Sequence, residues 1–211
     1  MIDGIIFDLD GTLWDSTKEV AIAFNKVLKE KYPNVKDEVT VERLQELFGL
    51  PLDVIGMKLF RSVSKEHAVS IITECCEYEC VYLGDHGATL YEGLEEVLKM
   101  LSSNWKLYIV SNCQEGYIQC FFKAYPHLEQ YFSDYEYPGR SGKLKADNIR
   151  MVVERNALIN PIYVGDTPGD ANAAREAKVP FIFAKYGFGQ VEEFYHSIEC
   201  LPELVSLIPT L

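Results

Sequence analysis

The stretch Ile2-Asp3-Gly4-Ile5-Ile6-Phe7-Asp8-Leu9-Asp10-Gly11-Thr12-Leu13 decides the fold. From Ile2 to Leu9 it is a short apolar run that ends in acids and a glycine, the pattern of a strand buried on both faces of a parallel sheet. Two similar runs follow, Leu107 to Val110 ending in Ser111-Asn112, and Ile162 to Val164 ending in Gly165-Asp166. Between them the period becomes helical: Leu94, Val97, Leu98 and Leu101 fall at i, i+3, i+4, i+7, and Ile149, Val152 and Val153 at i, i+3, i+4. Val179 to Ala184 reads as a further strand, with Pro180 at its start or on a sheet edge. Val191 to Leu207 reads as a helix. The alternation predicts an α/β fold, a parallel sheet covered by helices on both faces.

Residues from about Thr17 to Leu83 break that alternation with four helical patterns in succession and no strand between them. Their apolar positions include Ala21, Phe24 and Leu28 in the first pattern and Val69, Ile72, Cys76 and Leu83 in the last. The prediction is an α/β core from residues 1–15 and 86–211, with 16–85 inserted as a separate all-helical lobe. Trp14-Asp15-Ser16-Thr17 and Gly84-Asp85-His86-Gly87 are the two expected linkers.

A chain of 211 residues is long enough for a real core, and its 48% hydrophobic residues exclude intrinsic disorder. Its 20 Lys+Arg against 32 Asp+Glu give a net charge of −12, which argues against nucleic acid as a partner. No stretch approaches the roughly 18 to 20 apolar residues needed to span a bilayer, and Asp3 and Asp8 stand where a signal peptide carries basic residues. The expectation is a cytoplasmic protein with no membrane partner and its 6 cysteines reduced.

In open parallel sheets ligands bind beyond the carboxyl ends of the strands, so residues just after each strand meet in space. Here that brings together Asp8, Asp10, Asp166 and Asp170. Asp8 and Asp10, at i and i+2, face one site while Leu9 faces the core. Each acid alone could simply cap a helix or turn. Four together repel one another unless a hard divalent cation accepts their oxygens, and Mg²⁺ suits an all-oxygen set with no His or Cys nearby in sequence. Such a site completes its shell with water and a phosphate oxygen, which points to phosphoryl transfer on a small phosphate ester.

Asp8-Leu9-Asp10-Gly11-Thr12-Leu13, Ser111-Asn112, and Gly165-Asp166 with Asp170 resemble three motifs of the haloacid dehalogenase superfamily. The resemblance covers residues 1 to about 15 and about 86 to 211. It implies a Rossmann-like three-layer core with a C1-type helical cap, nearest to the phosphoglycolate phosphatase and beta-phosphoglucomutase branch. It further implies Asp8 as nucleophile and Mg²⁺ ligand, and Asp10 as general acid and base whose carbonyl also meets the metal. Asp166 and Asp170 become the other metal ligands, direct or one shell out. Ser111 becomes a catalytic donor to the phosphoryl group, with Leu9, Thr12 and Asn112 as further phosphate contacts.

The superfamily's motif lysine has two candidates in Gly142-Lys143-Leu144-Lys145-Ala146-Asp147-Asn148-Ile149, and the usual following proline is missing. Counting back from Ile149 favours Lys145 just ahead of the helix, with Lys143 one step further out as a phosphate contact. Asp10 disfavours dehalogenation, because no alkoxide needs a proton there, and Thr12 leans toward a phosphatase. A sugar phosphomutase and a non-catalytic phosphometabolite-binding relative are the alternatives.

Cys76 and Cys80, at i and i+4, continue a stripe from Val69 and Ile72, so with Cys75 they read as buried small hydrophobes. Cys113 is expected as an exposed thiol in the site, open to oxidation. The resemblance implies that the turn Gly49-Leu50-Pro51 reaches over the site.

Overall fold

In the computed structural model, which describes residues 1–211, the opening run forms strand β1, Gly4–Phe7, and a short strand β2, Trp14–Asp15, follows it. Four helices come next without a sheet strand between them: α1 Thr17–Lys31, α2 Val41–Leu47, α3 Leu52–Leu59 and α4 Lys65–His86. Strand β3, Thr89–Leu90, then pairs antiparallel with β2, Trp14 opposite Leu90 and Asp15 opposite Thr89. The two crossings between helical block and sheet are thus tied to each other. The chain continues through α5 Leu94–Ser102, β4 Lys106–Val110, α6 Tyr117–Ala124, β5 Phe132–Glu136, α7 Pro138–Ser141 and α8 Lys145–Arg155. It ends with β6 Pro161–Gly165, α9 Pro168–Ala177, β7 Phe181–Ala184, β8 His196–Ile198 and α10 Glu203–Leu207. No helix is long and apolar enough to cross a membrane.

Six strands form one parallel sheet in the order β5-β4-β1-β6-β7-β8. Period-two alternation along the central strands builds two separate cores. Ile5, Phe7, Leu107, Ile109, Ile162 and Val164 face one side, where α5, α6 and the four-helix block pack in a cluster of 45 buried residues. Ile6, Tyr108, Val110 and Tyr163 face the other, against Ile149 and Val152 of α8 and Ala173 and Ala174 of α9. A strand that must be apolar on both faces reads as an unbroken apolar run, which is why β1, β4 and β6 are visible in sequence.

The expected helix over Val191 to Leu207 is corrected: it holds β8 at His196–Ile198 and a helix confined to Glu203–Leu207. The open edge of β7 is the physical reason. Tyr195 donates to Phe181, Lys185 donates to Ile198, and Ile182 lies opposite His196, so unpaired edge groups recruit a segment with little helical preference. Strand β5 carries no apolar run in sequence, because Asp134 and Glu136 accept from Arg155 at the opposite sheet edge. Pro180 lies immediately ahead of β7, where its missing N–H breaks no ladder bond within the strand.

Candidate active site

The carboxyl ends of β1, β4 and β6 lie side by side, and each ends in a polar residue that is buried: Asp8, Ser111 and Asp166. One oxygen from each of Asp8, Asp166 and Asp170 falls within 4.8 Å of the others. Asp170 arrives on α9, whose N-terminus is fastened by a reciprocal cap: Asp170 N donates to Thr167 Oγ1 at 3.2 Å, and Thr167 N donates to Asp170 Oδ2 at 2.9 Å. Gly11, at φ +77°, lies so close to the Asp166 carboxylate that a Cβ there would collide with both of its oxygens. Thr12 Oγ1 donates to Asp166 Oδ1 at 3.3 Å, and Phe188 N donates to Oδ2 at 2.7 Å.

Lys145 is the first residue of α8 and is 5% exposed, so its side chain runs inward to the carboxylates. Its ammonium lies 2.8 Å from Asp8 Oδ1 and donates a short hydrogen bond to Asp170 Oδ1. Burial disfavours the ammonium charge, yet Asp170 and Asp8 more than offset this and hold Lys145 above its ordinary pKa. Burial likewise opposes the Asp170 carboxylate, but Lys145 and Thr167 hold its pKa low. Burial and the nearby Asp170 raise Asp8 to about 6 against the pull of Lys145, and burial with Asp170 and Asp8 raises Asp166 well above the usual range. Lys143 is exposed and is not brought to these acids.

Asp8 and Asp10 line one cavity together with Ser111, Asn112 and Tyr117. Asp10 is not part of the three-acid cluster, and its Oδ1 accepts from Trp14 Nε1 at 2.9 Å, Ser16 Oγ at 2.5 Å and Tyr117 Oη at 2.8 Å. Burial raises Asp10 to about 7 even though these three donors favour its carboxylate. Asn112 is spent differently from its expected phosphate contact: its Nδ2 donates to the Gly49 carbonyl at 3.0 Å, pinning the α2–α3 loop over the site. Leu9 is fully buried, so any contact it makes with a phosphate is through its backbone.

Cys113 lines the cavity but is only 5% exposed, and burial beside Asp10 and Asp8 keeps its thiol far above its ordinary pKa. That corrects the exposed, oxidisable thiol expected from sequence. Cys75 and Cys76 are buried as expected, whereas Cys80 is half-buried at 3.5 Å from Gln114 Nε2; all the cysteines are free. Tyr117 has no sequence signal, because α6 and the turn after β1 meet only in the folded chain, whereas Trp14 and Ser16 hold Asp10 from the stretch read as a linker.

The cluster's chemistry suits a hard cation. Its donors are all carboxylate oxygens, and the buried Asp8 Oδ1 has the Lys145 charge beside it but no donor in hydrogen-bonding geometry. Asp170 is the least free ligand, since Lys145, Tyr163, Asp166 and Thr167 already donate to its two oxygens.

A pH dependence follows. Folding raises Asp10 from 3.8 to about 7, so between about pH 4 and 7 the folded chain binds a proton that the unfolded chain releases. Without metal, stability falls as pH rises through that window, and Asp8 adds to the fall up to about pH 6. We expect the Tm of the metal-free protein to drop by about 5 °C or more from pH 5 to pH 8. Asp10→Asn should flatten that profile, and Mg²⁺ should raise Tm more at pH 8 than at pH 5. A Tm that holds steady or climbs with pH in scanning calorimetry would contradict this.

Comparison with known proteins identifies the family. A family model described as haloacid dehalogenase-like hydrolase matches residues 5–184. A phosphoglycolate phosphatase from Nitrosospira multiformis is 28% identical, over 94% of this chain and 89% of its own. Among solved structures, a haloacid dehalogenase-like hydrolase from Streptococcus pneumoniae superposes with a TM-score of 0.81 at 25% identity, covering 98% of both chains. A predicted phosphatase from Clostridium acetobutylicum also gives 0.81, at 24% identity and over 100% of both. The strand-end acids, their burial and the sheet order therefore sit in a chain that belongs to the haloacid dehalogenase-like hydrolases.

Proposed function

We propose that the chain is a Mg²⁺-dependent phosphatase that hydrolyses a small phosphomonoester through an aspartyl-phosphate on Asp8. That it is a phosphoric monoester hydrolase follows from its family and from curated relatives that are phosphoglycolate phosphatases. The observation that carries the mechanism is the juxtaposition of Asp8 with Lys145 at 2.8 Å and with Asp166 and Asp170, in a cavity that Asp10 also lines.

In this reading an Asp8 oxygen attacks phosphorus and the P–O bond to the leaving group breaks, with the leaving oxygen taking the proton of Asp10. Asp10 then accepts a proton from water as that water attacks the acyl-phosphate, which frees phosphate and restores the Asp8 carboxylate. A pKa raised to about 7 suits a group that must first give and then take a proton near neutrality. Lys145 orients Asp8, and the Ser111 hydroxyl donates to a phosphoryl oxygen. Asp8, Asp166 and the Asp10 carbonyl would hold Mg²⁺, with Asp170 one shell out. The bound metal supplies positive charge that offsets the phosphoryl oxygens.

The helical block, residues 16–85, acts as the cap in this reading, and the antiparallel β2–β3 pair is its two-stranded hinge. Its Gly49 carbonyl, held by Asn112, places the loop at the cavity wall. The first assay is phosphate release from para-nitrophenyl phosphate with Mg²⁺ or with EDTA. Release with Mg²⁺ and none with EDTA supports the reading, and equal release in both removes the metal from it. Interconversion of sugar phosphate isomers without phosphate release would identify a mutase instead.

A further inference from the structure

Glu79 of α4 is a buried acid that the proposed chemistry does not use and that has no cation beside it. The other buried acid outside the proposed chemistry, Glu136, differs in sitting between Arg140 and Arg155. Glu79 is 4% exposed and lines the same cavity as Asp8 and Asp10. Gln114 Nε2 donates to its Oε2 at 2.7 Å and so fixes the carboxyl against the loop after β4. Burial, with Cys80 and Asp10 adding to it, holds this carboxyl well above its ordinary pKa.

The rest of that end of the cavity is apolar, built by Phe24, Ile55 and Ile72 from three helices of the block. No lysine, arginine or histidine lines it. Lys143 borders an adjoining groove that shares Leu52, Asn112, Cys113 and Gln114 with this cavity. A phosphoryl group at Asp8 therefore leaves its leaving group facing hydrocarbon walls and one fixed carboxyl. An ammonium on the leaving group supplies the cation that Glu79 lacks and so favours its carboxylate, and a hydroxyl can donate to it, whereas a carboxylate places a further acid beside Glu79 and Asp10 with no counter-charge.

We propose that Glu79, oriented by Gln114, selects phosphomonoesters whose leaving group ends in a hydrogen-bond donor and rejects those ending in a carboxylate. The proposal rests on the phosphatase reading and narrows its substrate class. It sets this chain apart from the curated relatives, which are named for phosphoglycolate, a carboxylate ester. A site built around one buried polar partner discriminates strongly, because the wrong ligand leaves that partner unmatched.

The test is kcat/KM with Mg²⁺ for phosphoethanolamine, glycerol 3-phosphate and 2-phosphoglycolate, with para-nitrophenyl phosphate as the reference ester. The expected result is a preference of about tenfold or more for a donor-bearing ester over phosphoglycolate, carried mainly in KM. The two donor esters separate an ammonium partner from a hydroxyl partner. Glu79→Gln, which can still accept from Gln114, should shrink the preference, and Glu79→Lys should turn it toward phosphoglycolate. Preference of the wild-type chain for phosphoglycolate, or ratios that neither Glu79 substitution moves, would overturn the inference while turnover of para-nitrophenyl phosphate left the phosphatase reading intact. Absence of Mg²⁺-dependent release from every ester would overturn both.

Discussion

Asp8→Asn should lower kcat by at least about 10⁴-fold with the fold preserved. The amide is nearly isosteric, so packing at the end of β1 stays as it is, where the residue is 3% exposed. What disappears is the carboxylate that the proposed mechanism uses for the covalent bond, and no neighbour replaces it. Asp10 is engaged by Trp14, Ser16 and Tyr117, while Asp166 is fixed by Thr12 and Phe188. The substitution also removes one of three mutually repelling acids, so the metal-free Tm should hold or rise while activity is lost. Steady-state kinetics with calorimetry on the same preparation checks this, and an Asp8→Asn protein that keeps a tenth of wild-type kcat would rule Asp8 out.

Lys145→Met should cost both activity and stability. The methionine roughly fills the volume of the lysine stem but leaves Asp8, Asp166 and Asp170 within 4.8 Å of one another with no cation between them. Breaking a buried ion pair from one side costs about 3–5 kcal/mol, which in a chain of this size is roughly 6–20 °C in Tm. We expect a loss of that order without metal, partial recovery with Mg²⁺, and a fall in kcat of about 10³-fold as Asp8 loses its orientation. Lys143→Met is the matched control: its side chain is exposed, so stability and kcat should change little. The opposite pattern, an active Lys145→Met and an inactive Lys143→Met, would transfer the role to Lys143.

How much of this is legible before folding depends on the range of the forces involved. Strands β1, β4 and β6 announce themselves because burial on two faces leaves no room for a polar residue until the strand ends. The acids stand out for the same reason, since they follow those runs directly. Strand β5 is hidden by Ser133, Asp134 and Glu136, which an edge position tolerates once Arg155 reaches across. Strand β8 is hidden by its shortness and by depending on β7 for its pairing. In the site, Lys145 differs from Lys143 only by where α8 begins, a boundary that periodicity locates to within a residue or two. Thr12 and Asn112 sit in the expected motifs, yet tertiary contacts bind the Thr12 hydroxyl to Asp166 and the Asn112 amide to Gly49. Glu79 and Tyr117 enter the cavity from helices whose packing against the sheet has no local signal, so nothing near them in sequence marks them as site residues.

In the proposed mechanism the phosphoryl group passes through a covalent bond to Asp8. The most direct measurement is to quench the enzyme in acid during turnover with Mg²⁺ and a phosphate ester, then map phosphoryl groups on its peptides by mass spectrometry. The predicted result is one phosphoryl group on the peptide carrying Asp8, labile to hydroxylamine as an acyl-phosphate must be, and absent from Asp8→Asn. Turnover with no phosphorylated peptide under quench conditions that preserve acyl-phosphates, or with the group on another residue, would contradict the account.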